Sequence, residues 1–344
     1  MIRKHVTIAD IAREVGVAPQ VVSRVLHGGK STAGARRELR EKIREVAAER
    51  GYRPSAAGQM LRKGAFHSVG ILLGHSDNFL LSQLTLAGLT EGLAEKEYTA
   101  TLFYVRDRSD SGLLDSRLIS SKLTDALIIP YVRQPSRRLV NELGDLHIPV
   151  IWMNRRCRYD ALRMDEAGAS GMLLRHLVEQ GHEHVDFIDY SGNGKDAHTR
   201  ERIRGIQTEA AKLNIRTRFH LEHLPRADRA PAVRRYLAGT PKPRALIINS
   251  LSAAQIFLQV AHQQGLRLPE DLALASFDDG SYYTANTPSI TCALRPDFAF
   301  GRSAAEMVLQ RLKHPDTPLP LRKVAFELRI GGTTRKEQTC APHH

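Results

Sequence analysis

The sequence predicts a small all-α helix-turn-helix head joined to an α/β body of two doubly wound parallel-sheet lobes. Three observations predict it. Residues 6–26 show helical spacing of apolar residues, then a glycine, then helical spacing again. From Val69 onward, apolar runs alternate with amphipathic stretches, which is the rhythm of βαβ units. That rhythm occurs twice, and 344 residues are too many for one ordinary core.

In the head, Thr7 stands where an N-cap belongs, and Ile8, Ile11, Ala12 and Val15 form the inward stripe of a first helix. Gly16 breaks it and Val17 is the apolar residue of the turn. Pro19, at a first helical position, starts a second helix through Leu26 with Val22, Val25 and Leu26 facing inward. After the stretch HGGKSTAGA, Leu39, Ile43, Val46 and Ala47 mark a third helix that Gly51 ends. YRPSAAGQMLRKGAFH is too polar and too rich in Ala and Gly for a core, so it is a linker. In the body, SVGILL, TATLFYV, DALIIP and IPVIWM are the strands of the first set. HVDFIDY, RALIIN and DLALASF are those of the second, with helices at 168–180, 200–213 and 252–265.

Composition narrows the function. Fifty Lys and Arg against 37 Asp and Glu give a net charge of +13, which favours a polyanionic partner. In the first 65 residues basic side chains outnumber acidic ones by more than two to one, so the head is where nucleic acid is expected. The three cysteines, Cys157, Cys292 and Cys340, fit neither a zinc site nor a disulfide framework, and reduced thiols in the cytoplasm are the expectation. No run reaches the roughly 18 apolar residues of a membrane span, and the charged N-terminus is not a signal peptide. No strand leads into a GxGxxG or GxxxxGK[ST] phosphate loop, so no nucleotide cofactor is expected. The histidines lack metal-ligand spacing and no nucleophile motif is present. Asp278 and Asp279, adjacent at a strand end, point in different directions and cannot flank one bond. An enzyme is not expected.

Three separated motifs carry a resemblance over nearly the whole chain: VTIADIAREVGVAPQVVSRVL in the head, GYRPSAAGQMLRKG in the linker, and RERIRG, GLRLPEDLALASFDD and FELRIGGTT in the body. The chain resembles the lactose-repressor (LacI) family of bacterial transcription regulators, whose body is similar to periplasmic sugar-binding proteins. The resemblance implies a DNA-binding domain at 1–53, a hinge helix at 54–66 and an effector-binding and dimerisation domain at 67–338. Lobe N is then expected at about 67–160 and 293–317, and lobe C at about 161–292 and 318–338. The implied partners are a double-stranded DNA operator, a small-molecule effector and a second copy of the chain, with no membrane partner.

Site residues follow from the same resemblance. Gln20 and Arg24 are expected to read base edges, Gln an adenine and Arg a guanine. Thr7 and Ser23 are expected on phosphate, and Pro19 against a base edge. In the hinge, Leu61 is the apolar wedge into a minor-groove step, flanked by Ala57 and Gln59. Arg202, in RIRG, matches the arginine that fixes the effector. Asn249 and Asp278 follow strands, and Asn78 with Phe79 lines the first lobe, Phe79 as a stacking surface. The chain departs from the family pattern with Ala18 for a capping Ser, Val21 for Thr, Gly58 for Ala and Ser250 for Asp, and GHSDNFLL lacks N-P-F.

Overall fold

The computed structural model describes residues 6–27, 37–53, 65–74, 81–105, 123–130, 137–190, 192, 194–239, 245–278 and 288–335. The chain divides into two units, Met1–Phe66 and His67–His344.

In the first unit, helix α1 (Ile8–Val15) begins at a capping box. Asp10 N–H donates to Thr7 Oγ1, and Thr7 N–H and Oγ1 donate to the Asp10 carboxylate at 3.0 and 2.7 Å. Gly16 closes α1 in the left-handed region at φ 76°, a conformation that costs a side-chain-bearing residue, and its N–H reaches Ala12 O. That sharp stop aims helix α2 (Pro19–His27) across α1, and α3 (Arg37–Glu49) packs on both. Ile11, Ala12, Val22, Val25, Ile43, Val46 and Ala47 form the buried core, with Ile8, Val15, Val17 and Leu26 at its rim. Arg50 at the end of α3 pairs with Glu14 of α1 at 2.9 Å.

In the second unit, two six-stranded sheets are each flanked by helices. The first takes β1 (Ser68–Gly74), β2 (Thr99–Val105), β3 (Ala126–Pro130), β4 (Val150–Met153) and β5 (Ala161–Met164). With β11 (Arg322–Val324) the order is β11-β5-β4-β3-β1-β2, all parallel. The second takes β6 (His184–Asp189), β7 (Arg216–Leu221), β8 (Ala245–Ile248), β9 (Ala273–Asp278), β10 (Thr291–Leu294) and β12 (Glu327–Arg329). Its order is β12-β10-β9-β8-β6-β7, parallel except for β12.

Helices α4 (Gln83–Ala94), α5 (Arg137–Asp145) and α10 (Asp297–Lys313) serve the first lobe. Helices α6 (Glu166–Glu179), α7 (Ala197–Leu213), α8 (Arg226–Ala238) and α9 (Leu251–Gln263) serve the second. Strands buried on both faces explain the nearly continuous apolar runs. In β1 and β3, Ile71 and Ile128 enter one core while Leu72, Leu127 and Ile129 enter another with Leu143 and Trp152.

The lobe boundaries differ from those expected. Strand β5 pairs with β4, so the chain leaves the first lobe after Met164 and not after residue 160. It returns after Leu294, because all of β10 pairs with β9, and β11 stays in the first sheet to Val324 before β12 joins the second. These strands escape sequence reading because they are three or four residues long and, in β5 and β11, carry Arg163, Arg322 and Lys323. Edge strand β7 also escapes it: it carries Arg216 and Arg218, both exposed, and charged residues are the usual protection of an unpaired edge. Beside it on β6, in register with Arg218, lies Asp186, fully buried. Arg218 donates to both its oxygens at 3.1 Å, Tyr236 donates its hydroxyl, and His184 and His220 hydrogen-bond to it at 2.8 and 3.3 Å. Burial opposes its ionisation, but these hydrogen bonds outweigh burial and hold the carboxyl far below the usual range.

Candidate functional site

The head presents one polar helix face. Val22 and Val25 turn inward, so the opposite side of α2 shows Gln20 and Arg24, both exposed and one turn apart. Arg24 Nε lies 3.4 Å from Gln20 O, and Ser23 is half-buried between them. The first turn of α2 carries no acidic residue, so its N-terminal amides face an approaching phosphate without a competing carboxylate. Ala18 supplies no side-chain cap; its carbonyl accepts from Val21 N–H at 2.9 Å. Pro19 is exposed at the helix start. Thr7, expected on phosphate, already gives its hydroxyl proton to Asp10, so a phosphate would have to displace that carboxylate. Ala57, Gln59 and Leu61 lie outside the described residues.

In the body, the second sheet runs outward in opposite directions from β6, to β7 on one side and β8 on the other. The crevice of an open parallel sheet lies at such a switch, outside the strand carboxyl ends. Asp189 ends β6 and Asn249 follows β8 at that point. Asn249 Nδ2 donates to Asp189 Oδ1 at 3.2 Å and to Thr199 Oγ1 at 2.9 Å, and Asp189 Oδ2 accepts from Gly194 N–H at 3.1 Å. The backbone of Asp278 ends β9 beside them. Nothing is described of its side chain, and Asn78 and Phe79 lie outside the described residues.

Arg202 on α7 is the centre of this wall. Its Nε donates to Glu166 Oε2 at 2.7 Å, and its Nη1 donates to Asn249 O and Oδ1 at 2.7 and 3.0 Å. Its guanidinium carbon stacks 3.7 Å from the centre of the Phe277 ring. His198 Nδ1 meets Glu166 Oε1 at 3.0 Å. The R-x-x-G spacing has a steric reason: Gly205 lies against Ala167 O and Ser170 Oγ of α6, where any Cβ would collide, and Ser170 Oγ donates to Arg202 O at 2.8 Å. Asn249, expected to touch an effector, spends both amide N–H groups inside the protein and positions Arg202.

Burial alone would raise the Glu166 carboxyl, but the Arg202 charge and the hydrogen bonds from His198 and Arg202 outweigh it and lower it to about 2 from 4.5. A depressed folded-state value stabilises the protein above the unfolded value, and that stabilisation is lost as pH falls from about 4.5 toward about 2. At 1.36 kcal/mol per unit it amounts to about 3 kcal/mol. Urea midpoints of wild type and Glu166→Gln, taken between pH 7 and pH 2.5, are expected to converge as the pH drops through that window. Asp186 contributes equally to both proteins, so a constant gap would show that the pairing is not what holds Glu166 ionised.

Two family profiles match the chain: "Bacterial regulatory proteins, lacI family" over residues 7–55 and "Periplasmic binding protein-like domain" over residues 174–334. The ribose operon repressor of Haemophilus influenzae is 24% identical over 318 residues, covering 90% of this chain and 93% of that protein. The transcriptional repressor PurR of Vibrio cholerae is 25% identical over 316 residues, covering 89% and 91%. A lac repressor dimer solved with operator and the anti-inducer ONPF superposes with a TM-score of 0.77 over 96% of this chain and 99% of that one, at 18% identity. A LacI family regulator from Bifidobacterium animalis superposes with a TM-score of 0.63 over 78% and 97%, at 25% identity. The head of this chain is a lacI-family regulatory domain and its body is periplasmic-binding-protein-like. The chain is a DNA-binding transcription regulator. No helix among the described residues is long and apolar enough to cross a membrane.

Within the body, sequence reading misses Glu166, His198 and Phe277 around Arg202, and Asp189 and Thr199, which hold Asn249. Only His198 and Thr199 carried a signal, standing four and three residues before Arg202 on one helix face. Glu201, next to Arg202, accepts from Arg163 of β5 at 2.8 Å and from Arg156 at 2.9 Å, so α7 is tied to the first lobe. Ser250, where family members often have Asp, caps α9 by accepting from Ala253 N–H at 3.4 Å.

Proposed function

We propose that the chain is a repressor that binds an approximately palindromic operator as a homodimer, with a small-molecule effector in the body's cleft setting its affinity. The observation that carries this reading is the pair Gln20 and Arg24, exposed one turn apart on a helix whose other face is the core of the head. Such a helix offers its N-terminal end to the major groove, with base-edge donors on the side chains and phosphate donors on the backbone. Pro19 and Ser23 flank the readers, and Thr7 reaches phosphate once its hydroxyl turns from Asp10. Leu61, with Ala57 and Gln59 preceding it in the hinge, wedges into a deformable central step. The lac repressor superposed above is itself a dimer on operator DNA, and two-fold protein symmetry calls for two-fold DNA symmetry.

Arg202, held by Asn249 and close to the end of β9 at Asp278, with Asn78 and Phe79 from the first lobe, forms the effector site. Occupancy acts through a different affinity for two lobe angles. The Glu201 bridge to Arg156 and Arg163 is the contact that such a change strains. A regulator with a closed pocket is the second reading, favoured by the internal partners of Arg202 and Asn249; protection of the protein against heating by a bound small molecule excludes it. Selection of the purified protein against random duplexes at fixed salt tests the main reading. The expected result is an enriched palindrome with a flexible central step. Equal retention of all duplexes, with and without a metabolite mixture, would overturn it.

A further inference from the structure

The guanidinium of Arg202 is already neutralised inside the protein. Glu166 is the first residue of α6, directly after the crossover from β5, and its side chain is 5% exposed. One oxygen takes Arg202 Nε and the other takes His198. With Nη1 committed twice to Asn249, Nη2 is the one nitrogen of Arg202 with no partner among the described residues. Arginine grips a carboxylate or phosphate best through two parallel N–H bonds from one edge. Here the Nε edge is blocked by Glu166 and the end-on edge by Asn249. An anion at Nη2 would gain single-nitrogen contact while lying near the buried carboxylate of Glu166, in a site where desolvated like charges repel strongly. A hydroxyl or carbonyl oxygen meets no such penalty.

Stability does not require an ion pair at this place: losing one partner is costly, but the pair as a whole roughly breaks even against apolar packing. Nor is it needed to seat α7, which Gly205, Ser170 and the Glu201 bridges already hold against α6 and β5. Resting on the reading of this cleft as the effector site, we propose that Glu166 is a specificity-determining residue: it makes the cleft select an uncharged, oxygen-bearing ligand and reject the phosphorylated or carboxylated form of the same molecule.

The test titrates full-length wild type, Glu166→Gln and Glu166→Gln/Arg202→Ala with inorganic phosphate, and with a panel of neutral monosaccharides and their monophosphates, at constant ionic strength by calorimetry. Glutamine keeps the shape and one acceptor while removing the charge. The expected result is at least tenfold tighter binding of phosphate or a sugar phosphate by Glu166→Gln than by wild type, and loss of that gain in the double variant. Anion binding by wild type as tight as by Glu166→Gln would overturn the proposal, as would no gain in a Glu166→Gln protein with native circular dichroism and operator binding. A gain that survives in the double variant would instead overturn the reading of the cleft. If Glu166→Gln does not fold, Glu166→Asn removes the same charge and is read by the same criteria.

Discussion

Replacing Arg202 with alanine is expected to lower the unfolding free energy by about 3–5 kcal/mol, because it leaves the Glu166 carboxylate buried without its cation. The arginine supplies charge to Glu166, two hydrogen bonds to Asn249 and a flat face to Phe277. Its loss therefore reaches β8 and β9 as well as α6. Urea unfolding of the single variants and of Arg202→Ala/Glu166→Gln closes a double-mutant cycle. The double variant is expected to regain much of what Arg202→Ala loses, since the neutral amide no longer needs a counter-charge. A loss below about 1 kcal/mol in the single variant, with the same value in the double, would mean that water solvates Glu166 freely and that the pair is a surface contact. Operator affinity of the folded fraction separates stability from function: the readers sit in the head, so it is expected to persist.

That both roles fall on one arginine explains what was legible in the sequence and what was not. The head is legible because its determinants are local: the period of Ile8, Ile11, Ala12 and Val15, the stop at Gly16 and the restart at Pro19 lie within a dozen residues. Exposure of Gln20 and Arg24 follows from burial of Val22 and Val25 on the same turns. The doubly wound rhythm of the body is legible because strands covered on both faces must be apolar. The three crossings between lobes are not, since β5, β11 and β12 are short and Arg163 in β5 becomes tolerable only through Glu201, which is far along the chain. The ligand wall is half legible for the same reason. Arg202 meets Glu166 across 36 residues and Asn249 across 47, so no window of sequence shows that the arginine is neutralised before any ligand arrives. Asn249 looked like a ligand contact because it follows a strand at the crevice; the neighbours that claim its amide come from β6 and α7.

The readers of the head give the other large effect. Changing Gln20 and Arg24 together to alanine is expected to remove between about 2 and 6 kcal/mol of discrimination per operator half-site, the sum for two bidentate base contacts at about 1–3 kcal/mol each. Folding of the head is expected to survive, because both side chains are exposed and the core of Ile11, Val22 and Ile43 is untouched. Non-specific affinity is expected to fall less, since phosphate contacts from other basic residues and from the α2 backbone remain. The two terms separate in a salt titration against the selected operator and against a scrambled duplex. Loss of preference with a nearly unchanged salt slope identifies base readers. Equal weakening on both duplexes, with a slope reduced by about one charge per head, would make Arg24 a phosphate contact and shift sequence reading to the minor-groove wedge at Leu61.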